Sequence, residues 1–357
     1  MSFGGSFGGG FDGGGGDKSL KLSLAETFRL AWADPELRAR LQFVLLMFAV
    51  FTLGVHIPVP IGRFDPATVM AKLEVLPIFQ QLDAFGGGAL RRLSIFALSL
   101  NPYITGSIII QILTTALPAW KKEMEEGGQH ARQIQNRKTR ILTLILCFVQ
   151  GWGLLQLIRS AIPLSPLESF VTLVFWTAGT MFTLWIGEQI SERGIGNGVS
   201  LIIFAGIIVG LPHQLGKLFH SIQVTPTLAF GAVLAALIFL GATWVIVYFT
   251  TAQRRIPIQH MKRMQGTRAM GGGTSYLPLS VNMAGVLPII FAISLVGLPS
   301  QAGILLGGAN TPLGNFFTEL GEWLNPASTK AISASIPIHR SIVGLVFYTG
   351  LIFFFTY

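Results

Sequence analysis

The sequence predicts an all-α, multi-pass membrane protein, and three observations carry that reading. First, 51% of the 357 residues are hydrophobic and only 11% are charged, with mean hydropathy +0.61. A soluble protein of this length carries about a quarter charged residues. Second, apolar stretches at 41–59, 93–117, 141–158, 169–187, 199–213, 227–249, 283–299 and 341–357 contain no Asp, Glu, Lys or Arg. That is expected where a charge at mid-membrane costs about 2.5–3.5 kcal/mol. Third, most of the 25 basic residues fall in alternate connections: before the first stretch, at 118–140, at Arg193 and at 250–282. This bias predicts eight crossings with the N-terminus inside.

In chain order, residues 1–18 are glycine-rich and of low complexity, which predicts a disordered tail. In residues 19–40, Leu20, Leu24, Phe28 and Trp32 recur at every fourth position, with Lys18, Lys21 and Arg29 among them. The pattern fits a short helix on the membrane surface and equally a solvated helix packed on a partner. No cleavable signal peptide is evident. The single cysteine, Cys147, has no intramolecular disulfide partner.

The segment 82–117 organises the chain. It opens on Gly86, Gly87 and Gly88, continues through Arg91 and Arg92, and then runs apolar from Leu93 with Asn101 and Pro102 in its middle. A proline there predicts a bent or broken helix. Broken helices at membrane depth are tolerated only against protein or beside a cavity, so this segment is expected to line a pathway. The seventh stretch carries a matching interruption, GVLPIIF at 285–291. If the chain is built as two halves of five spans, each interrupted span is the second of its half. That is the pattern of inverted repeats around a central path.

The residues resemble the SecY family of translocase pore subunits. The likeness lies in DPELRARLQFVLLMFAVFTLGVHIPVP (34–60), FGGGALRRLSIFALSLNPYITGSIIIQILT (85–114) and EEGGQHARQIQNRKTR (125–140), then GEQISERGIGNGVSLIIFAGIIVGLP (187–212), QRRIPIQHMKRMQG (253–266) and LPLSVNMAGVLPIIFA (277–292). These stand in the family's order and cover residues from about 22 onward. The resemblance implies a SecY-like inverted-repeat channel with eight of the usual ten transmembrane helices present. It divides the chain into an N-terminal half at 41–215 and an incomplete C-terminal half at 216–357. It further implies that the chain stops in the family's eighth span, as a truncated gene would.

The resemblance also assigns roles. A hydrophobic pore ring falls on Leu100, Ile104, Ile203, Ile207 and Ile290. Leu100/Ile104 and Ile203/Ile207 are spaced to share a helix face, although ordinary interhelical packing gives the same spacing. The stretch at about 81–93, with Phe85, Gly86, Gly87, Gly88, Arg91 and Arg92, resembles the plug, a short helix stoppering the outer funnel. Arg91 and Arg92 are expected to keep its outer end hydrated. The family often has one basic residue there, so two suggest a charge-biased closure. Gln111 and Asn282 are placed at a lateral gate, and Arg254 and Arg255 in the basic cytoplasmic loop 250–282 at a docking site for the ribosome and the SecA ATPase. The implied partners are SecE, SecG, SecA, the ribosome and preproteins, with anionic lipid against the basic segment 118–140. The implied location is the plasma membrane.

No nucleophile–base set, paired carboxylates, P-loop or metal-ligand spacing appears in the sequence, so no enzyme activity, cofactor or metal is expected. An ion-coupled secondary transporter is the rival reading, since broken helices and inverted repeats suit it too. Such transporters place ionisable residues at mid-membrane, and these apolar stretches hold no Asp, Glu, Lys or Arg.

Overall fold

A computed structural model describes residues 32–60, 86–161, 164–225, 228–259, 287–306, 311–325 and 338–356, with short pieces at 29, 83, 263–265, 268–270, 274–281 and 285. The helices are α1 (Pro35–His56), α2 (Asn101–Ala116), α3 (Pro118–Glu126), α4 (Gly128–Ala161), α5 (Pro166–Arg193), α6 (Gly198–Val224), α7 (Leu228–Thr251), α8 (Leu287–Leu305), α9 (Pro312–Leu324) and α10 (Ile338–Thr356). Among the described residues, six helices are long and apolar enough to cross a membrane, or seven if α2 and α3, bent by 96° at their junction, count as one span.

Helix starts follow local chemistry. Asp34 accepts from the Glu36 N–H at 3.0 Å ahead of Pro35, Ser165 and Glu168 form a reciprocal capping box, and Asn197 accepts from the N–H groups of Val199 and Ser200. Prolines stand in the first turn of α1, α2, α3, α5 and α9, where the missing N–H costs nothing. This corrects the expectation of a proline-broken second span. Pro102 begins a helix rather than interrupting one, and Pro288 likewise is the second residue of α8. The prolines inside helices are Pro212 in α6 and Pro299 in α8.

Three further expectations change. The apolar run 93–100 is not helical; residues 86–100 form a chain of turns, with Leu93 and Ser99 at positive φ. The surface helix expected at 19–40 gives way at Pro35 to the first span, and residues 1–28 lie outside the described residues. The loop expected at 250–282 contains an antiparallel ribbon, β1 (Gln253–Gln259) with β4 (Thr274–Ser280), and a smaller pair, β2 (Arg263–Gln265) with β3 (Arg268–Met270).

The turn segment is the centre of the fold. Leu90, Leu93, Ala97 and Leu98 join Val59, Cys147, Leu155, Ile158 and Trp176 in one buried cluster. Ala89, Phe96 and Leu100 join Phe51, Ile104, Leu184, Ile186, Ile202 and Ile203 in another. Backbone groups that a helix would pair are paired across the fold instead. Val59 N–H donates to Leu93 O at 2.9 Å and Ile95 N–H to Ile57 O at 3.1 Å. The Ser94 hydroxyl donates to Gly54 O at 2.8 Å and accepts from Phe96 N–H at 3.1 Å. Glycines admit the segment: a Cβ on Gly54 would overlap the Phe96 ring, and one on Gly179 would overlap the Ile95 carbonyl. Phe51 stacks on Phe96 with centroids 5.9 Å apart, a pairing worth about 0.5–1.5 kcal/mol beyond its buried area.

Candidate functional site

The second buried cluster forms the floor of a cavity. Leu100 and Ile104 enter from the start of α2, and Ile203 from the first turns of α6. Ile290 packs against them from the start of α8. Leu100 is 1% exposed, and Ile104 and Ile203 are each 8% exposed. Each sits near a helix N-terminus, with a first-turn proline (Pro102, Pro288) or the Asn197 cap, so three helices bring their first turns to one cluster.

Above this floor lies a cavity of about 450 Å³ between α2, α4, α5, α6 and α8. Its lining is mixed: Ile104, Ile203, Ile290 and Phe291 stand with Asn136, Arg140, Glu188, Glu192 and Asn197. Arg140 of α4 donates from Nε to Glu188 Oε1 of α5 at 2.8 Å, and its Nη2 lies 2.7 Å from the same oxygen. The pair is partly exposed and ties two walls together at modest strength.

The other expected site residues fall as follows. Ile207 lies one turn beyond Ile203 on α6, is 41% exposed and stands outside the cluster. A shared helix face does not imply a shared depth. Gly86, Gly87 and Gly88 are buried, Gly87 against Gly206 of α6, while Phe85 lies outside the described residues. The plug-like residues 86–93 are turns rather than a helix. Arg92 is exposed as expected, but Arg91 is not at a hydrated end. Its guanidinium turns inward to a carboxylate that sequence reasoning passed over, Asp83. The one available signal was that Asp83 is the last acid before Glu123 and shortly precedes a basic pair.

Gln111 is exposed on α2, and its expected partner Asn282 lies outside the described residues. Arg254 and Arg255 are exposed on β1, opposite Leu279 and Pro278. As neighbours on a strand they point to opposite faces of the ribbon. Arg254 shares its face with Ile256, Leu277 and Leu279; Arg255 shares the other with Tyr276. Among the described residues, no group of three or more His, Cys, Asp or Glu side chains is placed to hold a metal ion.

Membrane-length helices packed around a partly polar cavity define a multi-pass integral membrane protein. The SecY family model matches residues 94–357. The chain is 37% identical over 322 residues to the protein translocase subunit SecY of Pseudomonas aeruginosa PAO1, a match covering 89% of this chain and 70% of that protein. Its fold is similar to a solved structure described as that of a protein-conducting channel, with a TM-score of 0.63 at 20% identity, over 92% of this chain and 76% of the other. A second solved SecY structure, described as showing a plug domain that stabilises the closed state and maintains a membrane seal, matches with a TM-score of 0.60 at 19% identity, over 92% and 77%. The chain belongs to the SecY family.

Proposed function

We infer that this chain is the central subunit of a protein-conducting channel, moving unfolded preproteins across the plasma membrane and releasing apolar segments sideways into lipid. The observation that supports the reading is that Ile104, Ile203 and Ile290, from three different helices, line one cavity and pack in or against the buried cluster that holds Leu100. A compliant ring of aliphatic side chains closes around an extended polypeptide without specific hydrogen bonds, so it accepts any sequence. When empty it collapses and excludes water.

In this reading the turns at 86–93 are the plug, and Gln111 and Asn282 bias the lateral gate closed by a hydrogen bond worth about 1–2 kcal/mol at most. Arg254 and Arg255 dock the ribosome or the SecA ATPase, neutralising rRNA phosphate or pairing with carboxylates. SecE and SecG complete the assembly, and anionic lipid meets the basic residues of α3 and of the start of α4. The N-terminus is cytoplasmic, as the clustering of basic residues in alternate connections supports. The halves 41–215 and 216–357 are the two repeats facing each other across the waist. Energy for movement comes from the docked partner.

The test is resting ion conductance in a planar bilayer. Ile104→Asn combined with Ile203→Asn places two hydrogen-bonding side chains in the constriction and is expected to raise resting conductance about tenfold or more as the waist wets. Unchanged conductance in a correctly assembled channel would remove both residues from the constriction.

A further inference from the structure

Asp83 is a buried acid, 3% exposed. It makes an ion pair with Arg91, eight positions on; the two side chains are 4% and 16% exposed. The Arg91 guanidinium donates from Nε to Asp83 Oδ2, and the Arg91 backbone N–H donates to Oδ1 at 3.2 Å. The Asp83 carbonyl accepts from Gly88 N–H at 3.2 Å. One residue therefore gathers three donors and ties together the two ends of the loop 83–91. Within the loop, Gly87 and Gly88 take φ of +66° and +81°, backbone that disfavours side chains. Gly87 rests on α6, where an added Cβ would come within 3.0 Å of Gly206 O and 3.3 Å of its Cα; Gly210, a turn later, faces the same glycine. Just beyond, Ala89 is fully buried in the cluster that holds Leu100, Ile104 and Ile203.

The distribution of strong and weak contacts is informative. The charged contact lies wholly inside the loop, between two of its own residues. Gly87 meets the wall by van der Waals contact, and Ala89 and Leu90 are buried in the two apolar clusters, so the loop's seating is apolar. An ion pair to α6 would add a charged tether; an internal one fixes the loop's shape without one.

We propose that Asp83 is a positioning residue that acts through Arg91 as an internal brace, holding the 83–91 loop in the one shape that seats Gly87 on Gly206 and seals the waist. The proposal rests on the reading of this segment as the plug. Removing one partner of a buried pair leaves the other charged and uncompensated, whereas removing both does not. The brace therefore predicts a closed state that single substitutions loosen and a double substitution partly restores.

The experiment uses the assembled channel with Ala89→Cys as a reporter, the native Cys147 being buried. Resting conductance, maleimide labelling of the reporter and precursor translocation are measured together. Asp83→Asn and Arg91→Met are each expected to raise resting conductance and labelling rate about tenfold while translocation continues. The double variant Asp83→Leu/Arg91→Met is expected to leak less than either single variant. Parental conductance and labelling in both single variants, or a double variant as leaky as the two effects combined, would overturn the brace. Loss of translocation along with the seal would assign Asp83 a merely structural role and overturn it too. If a stalled precursor in the otherwise unaltered channel fails to increase labelling, the plug reading itself falls, an outcome separate from the others.

Discussion

Helices α5 and α7 are both membrane-length, each with a charge-free stretch long enough to cross a bilayer (169–187 in α5, all of α7), yet they are used in opposite ways. More than half of the apolar window of α5 is buried inside the protein; none of that of α7 is, although α7 is the more apolar. The buried residues of α5 include Ser169, Thr172, Thr177, Gly179, Thr180, Thr183 and Gly187 beside Trp176, Leu184, Ile186 and Ile190. Helix α7 presents Phe230, Leu237, Ile238, Phe239 and Trp244 outward, each more than 60% exposed. Lipid is as apolar as leucine, so hydropathy marks the surface facing lipid, while small and hydroxyl residues mark contact with protein. The same contrast holds for glycine alone. A Cβ on Gly179 or Gly198 would overlap backbone, whereas Gly231 and Gly241 of α7 face open space.

The largest expected effect that tests this contrast is at Gly179. Gly179→Val has no room against the Ile95 carbonyl and is expected to cost about 3 kcal/mol or more, read as loss of folded protein in detergent. Ser94→Ala comes next, because the hydroxyl bridges Gly54 O and Phe96 N–H in a fully buried site. Leaving the Phe96 N–H unpaired is expected to cost about 1–3 kcal/mol, seen as a lowered melting temperature. At the small end, Gly241→Ala is expected to change stability by less than about 1 kcal/mol, and in the stabilising direction, since alanine is the better helix former. A severe effect there would mean that α7 packs against protein after all.

How much of this was legible in the sequence depends on where the forces act. Charge-free runs point to membrane-length helices because the cost of a charge in hydrocarbon is local to each residue; among the described residues six such helices, or seven with the bent pair, stand where eight crossings are expected. Motif resemblance singles out Leu100, Ile104, Ile203 and Ile290; the first three share a buried cluster and Ile290 packs against it. The turns at 86–100 were hidden: LSIFALSL reads as helix by hydropathy, and only tertiary contacts through Ser94, Gly54 and Gly179 hold it otherwise. The basic loop 250–282 hides its ribbon because Pro257 and Pro278 weaken any strand pattern in it; both are accommodated on an exposed two-stranded pairing. Helix α6 was expected to end near residue 213 but runs through Pro212 to Val224, where the residues are exposed and a lost backbone bond can be met by solvent or headgroups. Asp83 was missed because its partner is known only from the folded loop.

The central claim is that the converging helix starts of α2, α6 and α8 form the passage for a polypeptide. It is tested most directly by placing a photo-crosslinkable residue at Ile104, Ile203 or Ile290, and at Leu237 of α7, and stalling a soluble secretory precursor in transit. Crosslinks to the precursor at all three waist positions and none at Leu237 are the expected result. Precursor captured at Leu237 as readily as at the waist, or never at the waist, would contradict the account.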